Sequence, residues 1–416
     1  MPSCSARFRS NPEMATSDLM RTGKSLATDV AGARAHVAII LIARQASGAE
    51  HQTLALARAL QSHVRVTVLT CDEFAGLVAT DPFLREYTRG LAIIALGPAF
   101  PVAPATTASG LLGRILAYPR LQQRLWTVWR QLRPDVVHLV LAPSFFAFAP
   151  WFLMRAGRTV ITLAGEARYM RHFYGTAKRM AVRWAIARAN RLVVCSADEM
   201  VNLDVVAPGH KARATVIDNF TDTARYRPAV DRTETGSGGP VIIFAARLHP
   251  EKGARLFVEA MSEVVKCIPT VRALLYGQGE EAEAIERAIA SHRLSGVIER
   301  GFTVDMAPIM AAGSIFVSCQ LHENLGSSSL LEAMASGLAV VATDVGATRT
   351  IVDETIGAMV PATPEGIASA VVALCLDPAR RVACGVAARA RVEARYGPET
   401  YVAKLLPVYE EAIWGE

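Results

Sequence analysis

The sequence predicts an α/β protein made of two doubly wound, Rossmann-like domains. Three observations carry that reading. At 416 residues the chain exceeds the ~250–300 at which a single core stops growing, so two domains are expected. A strand, a glycine-bearing turn, a helix and a second strand follow one another from residue 36, which is how a doubly wound sheet opens. The same alternation restarts at residue 241, behind a polar stretch.

Taken in order, residues 1–34 are polar, rich in Ser and Arg, and are expected to form a flexible arm. His36–Ala43 is an apolar strand. Arg-Gln-Ala-Ser-Gly-Ala-Glu-His (44–51) makes the turn into an amphipathic helix through Leu60, and Arg65–Thr70 is the next strand. Further strands are predicted at Ala92–Leu96, Val136–Leu141, Thr159–Leu163, Arg191–Cys195 and Ala214–Ile217, giving a first domain over 35–227. Segment 228–239, with Thr-Gly-Ser-Gly-Gly, reads as a linker. A second domain, 240–397, places strands at Val241–Ala246, Arg272–Tyr276, Val297–Arg300, Ile315–Ser318, Ala339–Thr343 and Ala358–Pro361, with helices between them. Pro398–Trp414, within 398–416, closes the chain as a helix with apolar spacing at Tyr401, Leu405, Val408 and Ile413.

Composition narrows the function classes. Hydrophobic residues at 51% with 20% charged describe a globular protein with large buried sheets. Seven scattered cysteines without a Cys-x-x-Cys spacing argue for a reducing compartment and against a zinc or disulfide framework. The first 228 residues carry 28 Lys and Arg against 15 Asp and Glu, net +13. The remainder carries 16 against 23, net −7, which together give the +6 of the chain. A basic half beside an acidic one suggests an anionic partner on one side only. No secretory signal is visible in residues 1–34. The longest uncharged stretch, Leu139–Met154, is shorter than the ~20 residues a membrane crossing needs and contains Pro143 and Pro150.

Two segments carry the chemistry. In 320–346 a polar loop leads to a short helix, then Gly337, a buried strand and another glycine turn. Gly326 and Ser327, Ser328 and Ser329 stand where helix N–H groups lack partners and the dipole is positive, an anion site. Glu332, one turn in, suits hydroxyls. Amides that seek phosphate beside a carboxylate that can grip a diol point to a nucleotide-sugar pocket. A plainer reading has Ser329 and Glu332 forming a capping box. Upstream, the strand at Val241 runs into Arg247 and a turn with Pro250, Lys252 and Gly253. Two cations at the carboxyl end of a strand can face the crevice where open α/β sheets bind ligands. Arg offers a fork to two phosphate oxygens and Lys a point charge.

Arg-Leu-x-Pro-Glu-Lys-Gly, then Gly277-Gln-Gly279, then Glu-Asn-x-Gly…Leu-Leu-Glu-Ala-Met-Ala-Ser-Gly…Val-Val-Ala-Thr-Asp-Val-Gly resembles the GT-B glycosyltransferases of family GT4. Order and spacing match over 241–347, and weaker similarity extends over about 35–411. The resemblance implies the GT-B fold, two Rossmann-like domains facing across a cleft, with the last helix crossing back onto the amino-terminal domain. It implies a retaining hexosyltransferase-type enzyme that uses a nucleoside diphosphate-sugar and needs neither metal nor other cofactor. The departing diphosphate is then received by Arg247, Lys252 and the amides of Gly326 to Leu330. Glu332 matches the motif glutamate that holds the ribose, and Gly277 and Gly48 fall at donor-binding glycines. Gly48 also reads as an ordinary strand-to-helix turn.

The sequence departs from the family pattern in two places. The two motif glutamates are commonly eight residues apart, whereas Glu323 precedes Glu332 by nine. Either Glu323 faces the transferred sugar from a loop one residue longer, the favoured reading, or Asn324 takes that place. Many relatives carry a His after the strand equivalent to Thr159–Leu163, where this chain has Ala164-Gly165-Glu166. Glu166 is the candidate for contact with the sugar or acceptor, and His138 is a second acceptor-side candidate, although a lone strand-end His is more often structural.

Basic stretches at 168–191, with Tyr169, Phe173, Tyr174 and Trp184, and at 111–133, with Trp126 and Trp129, fit an anionic membrane surface or a lipid-linked acceptor. The alternative is two solvated helices whose apolar faces belong to the core. No nucleic-acid reader motif accompanies them. The expected partners are therefore a nucleotide sugar and a polysaccharide, lipopolysaccharide or glycolipid acceptor. The expected location is cytoplasmic or peripheral at the inner face of the plasma membrane. A non-catalytic relative is the alternative. A dinucleotide-dependent oxidoreductase is disfavoured, because no Gly-x-Gly-x-x-Gly follows the first strand.

Overall fold

The structure, a computed structural model, describes residues 34–98, 108–140, 158–172, 174–229, 239–322 and 327–415, without the side chains of 108–118, 120 and 177. Residues 1–33 of the arm, most of the linker (230–238), residues 141–157, which hold most of the uncharged stretch, and the loop 323–326 lie outside the described residues.

Apolar runs rich in Val, Ile, Leu and Ala form the central strands, buried on both faces, which is the signature of parallel sheets covered by helices, while the edge strands are more exposed. The first sheet contains β1 (His36–Leu41), β2 (Arg65–Thr70), β3 (Ala92–Ala95), β4 (Val136–Val140), β5 (Thr159–Leu163), β6 (Arg191–Val194) and β7 (Ala214–Val216). Its order is β3-β2-β1-β4-β5-β6-β7. The second contains β8 (Val241–Ala245), β9 (Arg272–Tyr276), β10 (Ile298–Gly301), β11 (Ile315–Ser318), β12 (Ala339–Thr343) and β13 (Gly357–Val360), in the order β10-β9-β8-β11-β12-β13. Every neighbouring pair is parallel. The predicted strands are all present, some with the predicted ends and none with an end displaced by more than two residues.

The helices of the first half are α1 (Gly48–Leu60), α2 (Asp72–Thr80), α3 (Pro82–Tyr87), α4 (Ala108–Leu132), α5 (Glu166–His172), α6 (Thr176–Arg188) and α7 (Ala197–Val206). Those of the second are α8 (Ala254–Cys267), α9 (Ala282–Ser291), α10 (Ala307–Ala311), α11 (Ser328–Ala335), α12 (Thr348–Ile351), α13 (Pro364–Leu376), α14 (Pro378–Arg395) and α15 (Pro398–Trp414). Helix α15 returns to the first sheet, where Tyr401, Val402, Leu405, Val408, Tyr409 and Ala412 join its core.

Strand order locates the site. Winding reverses between β1 and β4 in one sheet and between β8 and β11 in the other. Ligands of open α/β sheets bind at the carboxyl ends of strands beside such switch points. The chain leaving β1 reaches Gly48, the chain leaving β8 reaches Arg247 and Lys252, and the chain leaving β11 leads to α11. No helix of the described residues is long and apolar enough to cross a membrane.

Candidate active site between the two sheets

The turn after β8 is held by backbone contacts. Pro250–Lys252 forms a short 3-10 turn that ends at Gly253, whose φ of 71° is left-handed. A Cβ on Gly253 would stand 2.0 Å from the carbonyl oxygen of Cys319, so only glycine fits. The N–H of Leu321 donates to the carbonyl of Glu251 at 3.0 Å. Together these contacts fasten Lys252's turn to residues 319–321, the strand exit that leads to α11. Nζ of Lys252 donates to Oε1 of Gln320 at 3.2 Å. Its ammonium pKa is pushed down to about 8, first by burial and then by the field of Arg247. Arg247 itself is exposed.

Gly277 and Gly279 have a packing role in this structure. A Cβ on Gly277 would lie 1.9 Å from the carbonyl oxygen of Ala246, and one on Gly279 2.3 Å from that of Leu248. The Leu248 N–H donates to the Gln278 carbonyl at 2.8 Å. The two turns therefore lie backbone on backbone on either side of Arg247.

Across the crevice two helix N-termini converge. A Cβ on Gly48, the first residue of α1, would meet Cβ of Ser328 at 3.3 Å and its Oγ at 3.4 Å, so the two first turns touch. Ser327, Ser328 and Ser329 are half-buried, and the hydroxyls of Ser327 and Ser329 stand 3.0 Å apart. The side chain of Leu330 is fully buried in the core, which leaves only its amide for a ligand. Two positive helix ends at one rim favour an anion. Glu323 and Gly326, with Asn324, fall outside the described residues.

Glu332 does not cap α11, as the plainer reading had it. Ser327 occupies the N-cap position of α11 without a side-chain cap bond, and Glu332 is buried against the Tyr226 hydroxyl, which donates to it. Burial raises its carboxyl pKa to about 7, while the field of Arg225 and the Tyr226 hydrogen bond hold it down. Arg225 in turn pairs with Asp305 at 2.6 Å. Arg389 on α14 donates to the carbonyls of Thr223 and Ala335, tying the 222–226 segment to the end of α11. A serine–glutamate cap does occur, but on α1: the carboxylate of Glu50 accepts from the Ser47 N–H at 2.9 Å and from its hydroxyl.

Glu166 opens α5 at the carboxyl end of β5 and is buried. Beside it lies Glu199, which sequence reasoning missed. Its carboxylate accepts from the N–H groups of Ala167 at 2.8 Å and Arg168 at 3.3 Å and so caps α5. Burial and the neighbouring Glu166 push the Glu199 carboxyl up to about 8. The signal available was Ser196-x-x-Glu199, since Oγ of Ser196 accepts from the Glu199 N–H at 3.1 Å.

His138 does not belong to the acceptor side. It is fully buried in β4, with Nδ1 2.8 Å from the Tyr409 hydroxyl on α15 and Nε2 2.7 Å from Oγ1 of Thr162. Burial lowers its pKa to about 3, so it is a neutral core residue. The basic helices also pack ordinarily. Val182, Ala185 and Ile186 of α6 and Leu121, Leu125 and Val128 of α4 lie in the core, while Arg179, Arg183 and Arg124 are exposed. Arg168 is an exception, buried and paired with Glu251 at 2.8 Å. A cavity of about 780 Å³ opens beside α1, α3 and the 222–229 segment, lined by Arg58, Phe83, Tyr87, Arg225 and Asp305 and by none of the expected donor residues.

Comparison with known proteins bears on the family and the fold. The model of Glycosyltransferase Family 4 matches residues 46–225 and that of Glycosyl transferases group 1 matches residues 239–377. Over 138 residues the chain is 35% identical to the lipopolysaccharide core biosynthesis glycosyltransferase LpsE of Rhizobium meliloti, covering 32% of this chain and 39% of that protein. Over 207 residues it is 32% identical to the phosphatidyl-myo-inositol mannosyltransferase of Mycolicibacterium smegmatis, covering 47% and 52%. The matches thus span about half or less of these relatives. A solved structure of Anabaena HepE in complex with UDP and glucose superimposes with a TM-score of 0.74 at 17% identity, over 91% of this chain and 100% of that one, a likeness of fold.

Proposed function

Because the chain belongs to the family 4 glycosyltransferases of the GT-B fold, we propose that it moves a sugar from a nucleoside diphosphate-sugar to a hydroxyl, with retention of configuration. The observation that carries the proposal is the meeting of Gly48 with Ser328 on the rim to which Lys252's turn is fastened. A leaving diphosphate needs its developing charge received where water is scarce, and cations with helix amides supply that without a metal. Arg247 and Lys252 take the phosphates together with the first amides of α11, and Gly277 and Gly48 let the backbone come close. Glu332 accepts from the ribose hydroxyls, displacing Tyr226, and Glu323 faces the transferred sugar. Glu166 stands on the acceptor side, at the start of the helix that Glu199 caps.

The acceptor is a saccharide or lipid-linked saccharide, as the names of the lipopolysaccharide and phosphatidylinositol relatives suggest. The exposed arginines of α4 and α6 offer it, or the anionic membrane bearing it, a basic approach. The location we propose is the cytoplasm or, peripherally, the inner face of the plasma membrane, and that basic approach is what supports it.

The test is a thermal-shift screen of nucleoside diphosphates and their sugars, since a ligand of the native state raises its melting temperature. Transfer by the wild type is then compared with Arg247→Glu. Wild-type transfer by the variant refutes the scheme, and binding without transfer identifies a non-catalytic relative.

A further inference from the structure

We propose that Arg168 is a positioning residue for the donor diphosphate: it pairs with Glu251 on Lys252's turn, cancels that carboxylate and leaves Arg247 and Lys252 their positive field. The inference rests on the nucleotide-sugar reading of the site. By sequence Arg168 is one of several cations in a basic stretch, expected at the surface. It is instead 8% exposed, with its Nη2 2.8 Å from Oε1 of Glu251. Glu251 precedes Lys252 in the chain, and its carbonyl is bonded to Leu321, so it cannot swing away with its backbone. An uncancelled carboxylate there would repel two phosphates and neutralise the lysine beside it. The four charges feel one another, since Arg247 and Arg168 both lower the proton affinity of Lys252 while Glu251 raises it.

The pair is built from both halves of the chain. Arg168 sits on α5, whose first amides are held by Glu199, and α5 packs on the first sheet. Glu251 stands on the second sheet's turn. The cationic site is therefore at full strength only when the two sheets close on each other. A single guanidinium has five donors, so Arg168 can hold Glu251 and its own side of the crevice together.

The experiment titrates ADP, GDP and UDP in parallel by calorimetry into the full chain, as wild type, Arg168→Gln, Glu251→Gln and the double variant, with melting temperatures recorded. Arg168→Gln is expected to weaken the nucleotide that binds by about tenfold, the scale of one partly screened charge at close range. Glu251→Gln should bind at least as tightly as wild type, and the double variant should return to within about twofold of it. A double variant as weak as Arg168→Gln overturns the proposal, as does an Arg168→Gln of unchanged affinity. Should Arg168→Gln melt too low to test, Glu251→Gln decides alone, and a tenfold loss in it overturns the proposal. A wild type that binds none of the three overturns the nucleotide-sugar reading itself, and the present inference with it.

Discussion

Replacing Glu332 with Gln should make the protein more stable while loosening its hold on nucleotides. Glu332 is 8% exposed, and burial brings its carboxyl to about 7 from an ordinary 4.5. At about 1.4 kcal/mol per pH unit, holding the ionised form in the fold costs about 3 kcal/mol. Below pH 4.5 the group is protonated in folded and unfolded chains alike, and Gln matches it. Between 4.5 and 7 the unfolded chain releases a proton that the folded chain keeps, so the wild type loses stability as pH rises. Gln has no proton to lose, and its amide oxygen still accepts from Tyr226. The stability gap should therefore open across that window and stay level above pH 7. Denaturant unfolding of both proteins at pH 4.5, 6 and 8 measures it, and calorimetry with a nucleoside diphosphate at pH 8 measures the weaker binding. A variant less stable than wild type at pH 8, or a gap that does not vary with pH, refutes the electrostatic reasoning. Unchanged nucleotide affinity refutes the ribose role.

Three further outcomes are expected. Diphosphate affinity of the free protein should fall about tenfold from pH 7 to pH 9, because Lys252 loses its proton near 8, and Lys252→Arg should abolish that fall in a calorimetric pH series. Gly253→Ala should cost on the order of 3 kcal/mol in chemical denaturation, since the added methyl group would sit on the Cys319 carbonyl in a left-handed backbone. Tyr409→Phe should cost about 1–3 kcal/mol by stranding Nδ1 of His138 in the core, with the Michaelis constant for donor unchanged.

Much of the architecture was legible because it is written in neighbouring residues. Apolar runs bounded by Gly and Pro announce buried parallel strands whatever lies next to them. Gly48, Gly253 and the serines before α11 are turn and helix-start chemistry, readable over a few positions. The strand–Arg–turn–Lys order placed Arg247 and Lys252 at a sheet's carboxyl edge before any sheet was seen.

Partners distant along the chain were not legible. Nothing local distinguishes Arg168 from Arg171 or Arg179, yet it alone of the three joins Glu251, 83 positions away. His138 and Tyr409 are 271 positions apart, and only the return of α15 makes the histidine a core residue and removes it from the acceptor side. The capping alternative for Glu332 arose because Ser329 was its near neighbour, and the fold gave it Tyr226. The sequence by itself determined the two sheets, their glycine turns and the cations at their edges, because periodicity and backbone conformation depend on adjacent residues. Which charges meet, and therefore which keep their field for a ligand, was decided by the tertiary structure, because Coulomb energy and desolvation depend on distance in space and not on separation along the chain.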